Sequence, residues 1–370
     1  MLAPEQTRPA VRSYLAAARN FQSGSETPRR FLDESLALLE RWEPRIGAFV
    51  CTNLAAARTA AERSTERWRA GRPLSPIDGM PIGIKDIFET VDMPTEMGSP
   101  LFAGWRSGKD AASVRALRDA GAVILGKTVT TEFAASEPRG TRNPWNVAHT
   151  PGGSSSGSAA AVATGIVSTA LGTQVIGSTI RPASYCGCVG FKPSVNALNR
   201  QGSHDYQSQS CTGILAASLP DAWQVAYEIV ARVGGDAGTP GLQGPDRAPA
   251  ANKPRRLAVL ETAGWEGASA EAGIRVVLRI PSDAKEIATA LRFLIVQPLQ
   301  HLLVGDSICL GECCATEVDR RHHVGLRRPL SFVASEEPQH ILEHRAAQGA
   351  PVLLVGVWQI RMRHKVLGDE

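Results

Sequence analysis

Short apolar runs alternate with amphipathic helical segments along the first two-thirds of the chain, and that alternation constrains the fold more than any other feature. Residues 80–88 (MPIGIKDIF) form a strand-like run with one lysine inside it. Residues 110–120 read as an amphipathic helix closed by Gly121, and AVILGKT (122–128) follows as a buried strand. Upstream, residues 29–42 place Phe31, Leu32, Leu36, Leu38 and Leu39 at helical spacing, and residues 53–70 predict a second helix ending at Gly71. Downstream, SAAAVAT (158–164) predicts a helix that Gly165 can terminate, IVSTALGTQ (166–174) a strand, and residues 220–233 a helix with proline near its first turn. Residues 234–254 are rich in Gly, Pro and Ala and read as a loop, and RRLAVLET (255–262) as one further strand. The pattern is that of an α/β protein with a largely covered sheet.

At 370 residues the chain is long enough for a large core in one or two domains. A net charge of +4, spread over most of the sequence, gives no basic patch that argues for nucleic acid. Seven cysteines, odd in number and irregularly spaced, do not make a disulfide framework and suit a reducing compartment. The N-terminus lacks a continuous apolar signal segment, and no apolar run reaches the roughly 18 residues of a membrane span. The expectation is a cytoplasmic protein with no membrane partner.

The Gly/Ser run GGSSSGS (152–158) has a plain reading as a flexible linker. Its context opposes that reading, because it opens directly into an apolar helix, where backbone N–H groups favour developing negative charge. Alone, Lys85 reads as a solvated or Asp86-paired lysine at a strand edge, and Ser178 as an ordinary turn serine.

Taken together and in order, GIKD with Lys85, PGGSSSGSAAAVA with Ser154, and GSTIRPASYCGCVGFKPS with Ser178 resemble the amidase signature family. MPTEMGSP (93–100) and TRNPWNVAHT (141–150) also look like family segments, and the resemblance runs from about residue 29 to about 272. It implies a mixed central sheet covered by helices on both faces. It also implies an N-terminal helical region (1–75) packed on a signature core (76–273), followed by a region (274–370) where the resemblance is lost. Position by position it makes Ser178 the nucleophile, Ser154 the bridging serine after a cis Gly153–Ser154 peptide, and Lys85 the base. Backbone amides of Val175, Ile176, Gly177 and Ser178 would form the oxyanion hole. No metal or organic cofactor is implied.

The chemistry such a triad needs is specific. A serine hydroxyl becomes a good nucleophile when a neighbouring base takes its proton, and lysine is a base only when neutral. Neutrality at pH 7 requires a pKa depressed by roughly three units, which burial beside Ile82, Ile84 and Ile87 can help supply. The family places glycine before the Gly-Ser pair where this chain has Ile176. If that position requires a left-handed backbone, isoleucine distorts the turn, and loss of one oxyanion donor lowers turnover by about a hundredfold.

Arg181 follows Ser178 by three residues, an arrangement that resembles the malonamidase-like branch, where arginine contacts a substrate carboxylate. The alternative is an arginine that ties the loop after Ser178. The expected function is hydrolysis of a small carboxylic amide, with a dicarboxylic acid monoamide as the finer reading and a homodimer left open. Two other readings are the A-type subunit of glutamyl-tRNA amidotransferase, which works with partner subunits, and a catalytically silent relative. Cys186 and Cys188 read as packing residues. In the tail, Cys309, Cys313, Cys314, His322 and His323 lie close together without a common zinc spacing. A diverged subdomain or a frame disruption in the gene fits residues 274–370 better, the latter leaving the fold incomplete at the C-terminus.

Overall fold

The structure, a computed structural model, describes residues 8–21, 23–205 and 207–250. The predicted strand at 255–262 and the readings of residues 274–370 lie outside the described residues.

The sequence signals fall where capping chemistry puts them. After the short α1 (Tyr14–Ala18), α2 (Pro28–Ile46) starts with Pro28 in its first turn and Thr27 accepting a hydrogen bond from the Arg30 N–H. Helix α3 (Leu54–Arg69) is capped by Asn53. Between them lies β1 (Phe49–Thr52), too short and too polar on one side to be read from the sequence. Then come β2 (Pro81–Lys85), α4 (Ala112–Asp119), β3 (Val123–Thr128), α5 (Ser156–Ala163) and β4 (Thr169–Gln174). The described part ends with α6 (Ile180–Cys186), β5 (Val189–Phe191), β6 (Cys211–Ala216) and α7 (Leu219–Val233).

Among the described residues, six strands form one mixed sheet in the order β1-β3-β2-β4-β6-β5. The centre is parallel, β2 pairing with β3 and with β4, while β1, β5 and β6 add antiparallel edges. Alternate residues of one strand serve different cores. Val123 and Leu125 pack with α2, α3 and α5, whereas Ile124 joins Ile82, Ile84, α4 and α7. Helices therefore cover both faces, as the resemblance implied.

Helix α5 is buried on all sides, which its run of Ser, Gly and Ala permits. A Cβ at Gly157 would overlap Ala48 O and the Val129 N–H nitrogen, so only glycine lets the helix start sit this close to β1 and β3. This seat fixes the loop that carries Ser154. Lys85 ends β2, and the neighbouring parallel strand β4 ends at Gln174, so the chemistry-bearing loops gather at the C-terminal edge of two adjacent parallel strands.

Candidate active site

Lys85 is fully buried, and its Nζ lies 2.8 Å from Ser154 Oγ and 2.7 Å from Thr173 Oγ1. Both partners are hydroxyls, so no hydrogen-bonded carboxylate compensates an ammonium charge. Burial drives the Lys85 pKa down from 10.5 to about 7, against the weaker opposing pull of Asp205 and Cys211. Asp86, the partner that a lone strand-edge lysine would have used, is committed elsewhere. Its carboxylate accepts from Lys127 Nζ at 2.9 Å and from the Glu96 N–H at 3.1 Å. Lys127 donates further to Pro94 O at 2.8 Å and to Thr95 Oγ1 at 2.7 Å, giving an ammonium all three acceptors it needs.

Ser154 follows a cis Gly153–Ser154 peptide, as the resemblance implied. It is buried, and its carbonyl accepts the Thr131 N–H at 3.1 Å. Ser155 fastens the same loop to the Ser178 turn, its N–H donating to Ser178 O at 3.2 Å. The loop between β4 and α6 is shaped by Gln174, whose Oε1 accepts the N–H groups of Thr179 (2.8 Å) and Ile180 (2.9 Å). Those of Val175, Ile176, Gly177 and Ser178, just ahead, donate to no acceptor among the described residues. Four consecutive free N–H groups beside a half-buried serine are suited to a developing oxyanion. The Ser178 hydroxyl makes no hydrogen bond to Ser154 or to any other group among the described residues.

One expectation about this turn changes. Ile176 is not among the residues with positive φ, so isoleucine imposes no left-handed strain there. Arg181 donates from Nε and Nη2 to Gly153 O, each at 3.3 Å. It therefore ties the α6 start to the peptide that carries Ser154. A guanidinium has five N–H donors, so some remain for a ligand. Cys186 Sγ donates to Pro151 O at 3.5 Å, a packing role on the same loop.

Sequence reasoning missed Thr173, Gln174 and Thr131. The first two end a strand that otherwise reads as apolar, and that polar ending was the available signal. Thr131 acts through its backbone and leaves no signal in side-chain type. Helix α6 was also missed, because its first turn carries a proline and its body only seven residues.

A family model for amidases matches residues 30–277, and the chain belongs to that family. Among sequence relatives, the A-type subunit of glutamyl-tRNA(Gln) amidotransferase from Chloroflexus aggregans is 41% identical over 217 residues, 57% of this chain and 43% of that one. The protein of the same name from an Anaeromyxobacter species is 36% identical over 260 residues, 68% of this chain and 53% of that one. The chain thus spans about half the length of these relatives. Among solved structures, the peptide amidase of Stenotrophomonas maltophilia superimposes with a TM-score of 0.62 at 28% identity, over 90% of this chain and 70% of that one. The 6-aminohexanoate cyclic dimer hydrolase does so with a TM-score of 0.51 at 28% identity, over 67% of this chain and 53% of that one. Among the described residues no helix is long and apolar enough to cross a membrane.

Because the folded-state pKa of Lys85 is depressed, the unfolded chain binds more protons than the native one between about pH 7 and pH 10.5. Stability from this group therefore rises with pH across that window. At pH 7 the penalty is about 4 kcal/mol. Lys85→Met is expected to be more stable than the parent at pH 7, by up to about 4 kcal/mol, with the advantage shrinking towards pH 10. Urea unfolding of both proteins across this range checks the sign and the pH dependence; a pH-independent difference would contradict it.

Proposed function

We propose that the chain hydrolyses a small carboxylic amide through Ser178, Ser154 and Lys85. The observation that carries this reading is the buried Lys85 amine, near neutrality at pH 7, within 2.8 Å of the Ser154 hydroxyl. Neutral Lys85 takes a proton from Ser154 as Ser154 takes one from Ser178, and Ser178 Oγ bonds to the amide carbon. The oxygen that gains negative charge lies against the N–H groups of Val175, Ile176, Gly177 and Ser178. Collapse breaks the carbon–nitrogen bond, and the leaving nitrogen takes the proton returned from Lys85 through Ser154. Water then attacks the acyl-Ser178 ester by the same relay and releases the acid. The remaining donors of Arg181 support a substrate with a second carboxylate, such as a dicarboxylic acid monoamide.

A second reading is that of an A-type amidotransferase component, favoured by the names of the relatives at 36–41% identity. Partner subunits that copurify with the chain would support it.

A fluorophosphonate serine probe should add once to the protein and not to Ser178→Ala, read by intact mass. The labelling rate should rise as pH passes through about 7, where Lys85 loses its proton. Folded protein that takes up no probe would overturn the reading. For the finer claim, Arg181→Ala should raise KM by about tenfold for an acidic monoamide and by much less for a neutral amide. Equal effects on the two would assign Arg181 to holding Gly153 alone.

A further inference from the structure

Strand β6 lies beside β4 and brings a second threonine to the Lys85 site. The two strands are antiparallel, with Leu171 opposite Ile214 and Thr173 opposite Thr212. Directly opposed residues of an antiparallel pair point to the same face, with Cβ atoms about 5 Å apart. The packing identifies that face. Leu171 and Ile214 belong to the core with Ile82 and Ile84, whereas Ala170 and its partner Leu215 belong to the core on the other side. Thr173 and Thr212 each lie two residues from this pair, so they share the face of Leu171 and Ile214.

Their hydroxyls are incompletely bonded although both residues are buried. Thr173 Oγ1 accepts from Lys85 Nζ at 2.7 Å and makes no other hydrogen bond among the described residues, so its own hydrogen still needs an acceptor. Thr212 Oγ1 has no partner among the described residues. The same holds for Ser210 Oγ, equally buried and two residues before Thr212, where strand alternation puts it on the same side. A buried hydroxyl without a partner is costly, and several side by side suit an ordered water, which takes about two to four polar neighbours.

The direction of the Thr173 hydroxyl decides what Lys85 can do. A neutral amine has one lone pair, and the relay requires that pair to face Ser154. With the Thr173 hydrogen turned towards Nζ, the lone pair is occupied and Ser154 has no base. An acceptor on the far side of Thr173 draws that hydrogen away and leaves the Thr173 oxygen to receive a Lys85 N–H.

We infer that Thr212 is a positioning residue of the relay: with Ser210 it holds one water against Thr173, and that water accepts the Thr173 hydrogen and so keeps the Lys85 lone pair on Ser154. This rests on the roles proposed above for Lys85 and Ser154.

Thr212→Val removes the hydroxyl, keeps the shape of the side chain and suits a strand. Labelling of Ser178 by the fluorophosphonate probe should slow by about tenfold, the equivalent of one neutral hydrogen bond. The midpoint of the Lys85 amine, read by NMR titration, should at the same time fall below that of the parent, because a Thr173 hydrogen turned onto Nζ stabilises the neutral form. A slower reaction from a more readily neutralised base is a pairing that loss of packing does not produce. Thr212→Ala should show both changes and Thr212→Ser neither. Asp205 and Cys211, whose charges act on Lys85, are unaltered in all three variants. Labelling of Thr212→Val at the parental rate, or slower labelling with an unchanged or raised midpoint, would overturn the role of Thr212. A parent protein that takes up no probe would overturn the catalytic roles instead, and the Lys85 midpoints of the variants would still decide whether Thr212 acts on the amine.

Discussion

A lysine amine buried without a hydrogen-bonded carboxylate is the condition on which the rest of the site depends. Lys85 has two hydroxyl partners at 2.7–2.8 Å, which suits a neutral amine with two N–H donors and a lone pair. Lys127, on the adjacent strand β3 and equally buried, shows the opposite arrangement. Its three acceptors include the Asp86 carboxylate, and although burial lowers its pKa, Asp86 draws it back. Two lysines one strand apart thus carry different work. Lys127 fixes the segment after β2 to the 94–96 loop, and Lys85, relieved of competition for Asp86, hydrogen-bonds only Ser154 and Thr173 among the described residues.

The loops around Lys85 hold this arrangement from several sides. Gly157 lets α5 sit against β1 and β3, while the Arg181 guanidinium holds the Gly153–Ser154 peptide and the Thr131 N–H the peptide that follows it. The segment TRNPWNVAHT serves the same end. Asn143 Nδ2 donates to Thr150 O at 3.1 Å and to Tyr185 O at 3.0 Å, and Trp145 Nε1 donates to Cys186 O at 2.7 Å. The Ser154 loop and helix α6 are thereby joined through one polar hub. Side chains that read as family markers in the sequence are here hydrogen-bond ties between loops that have no secondary structure to align them.

Much of the fold was legible because its signals are local. Apolar runs bounded by Gly121 and Gly165, the helical spacing of Phe31, Leu32, Leu36 and Leu39, and the Ser154 loop each declare themselves within a few residues. Short edge strands such as β1 and β5 have no such pattern, since their pairing partners lie far away in sequence. At the site, Lys85, Ser154 and Ser178 were legible as motifs. Thr173 and Gln174 were not, because their importance arises only where β4 ends beside β2. The doubt attached to Ile176 came from residue type alone, and the backbone there does not require glycine. Arg181 was legible as a cation near the nucleophile, but its tie to Gly153 O depends on a turn that brings residues 153 and 181 together.

The central claim is that burial brings the Lys85 pKa down to about 7, so that a large share of the amine is neutral near pH 7. The most direct measurement is the titration of lysine side-chain nitrogens by NMR in the full chain, with the Lys85 signal assigned by its loss in Lys85→Met. The account predicts a midpoint near 7 for Lys85. A Lys85 that titrates at the ordinary value of about 10.4 would contradict it, because the amine would then be protonated when it is required to accept a proton.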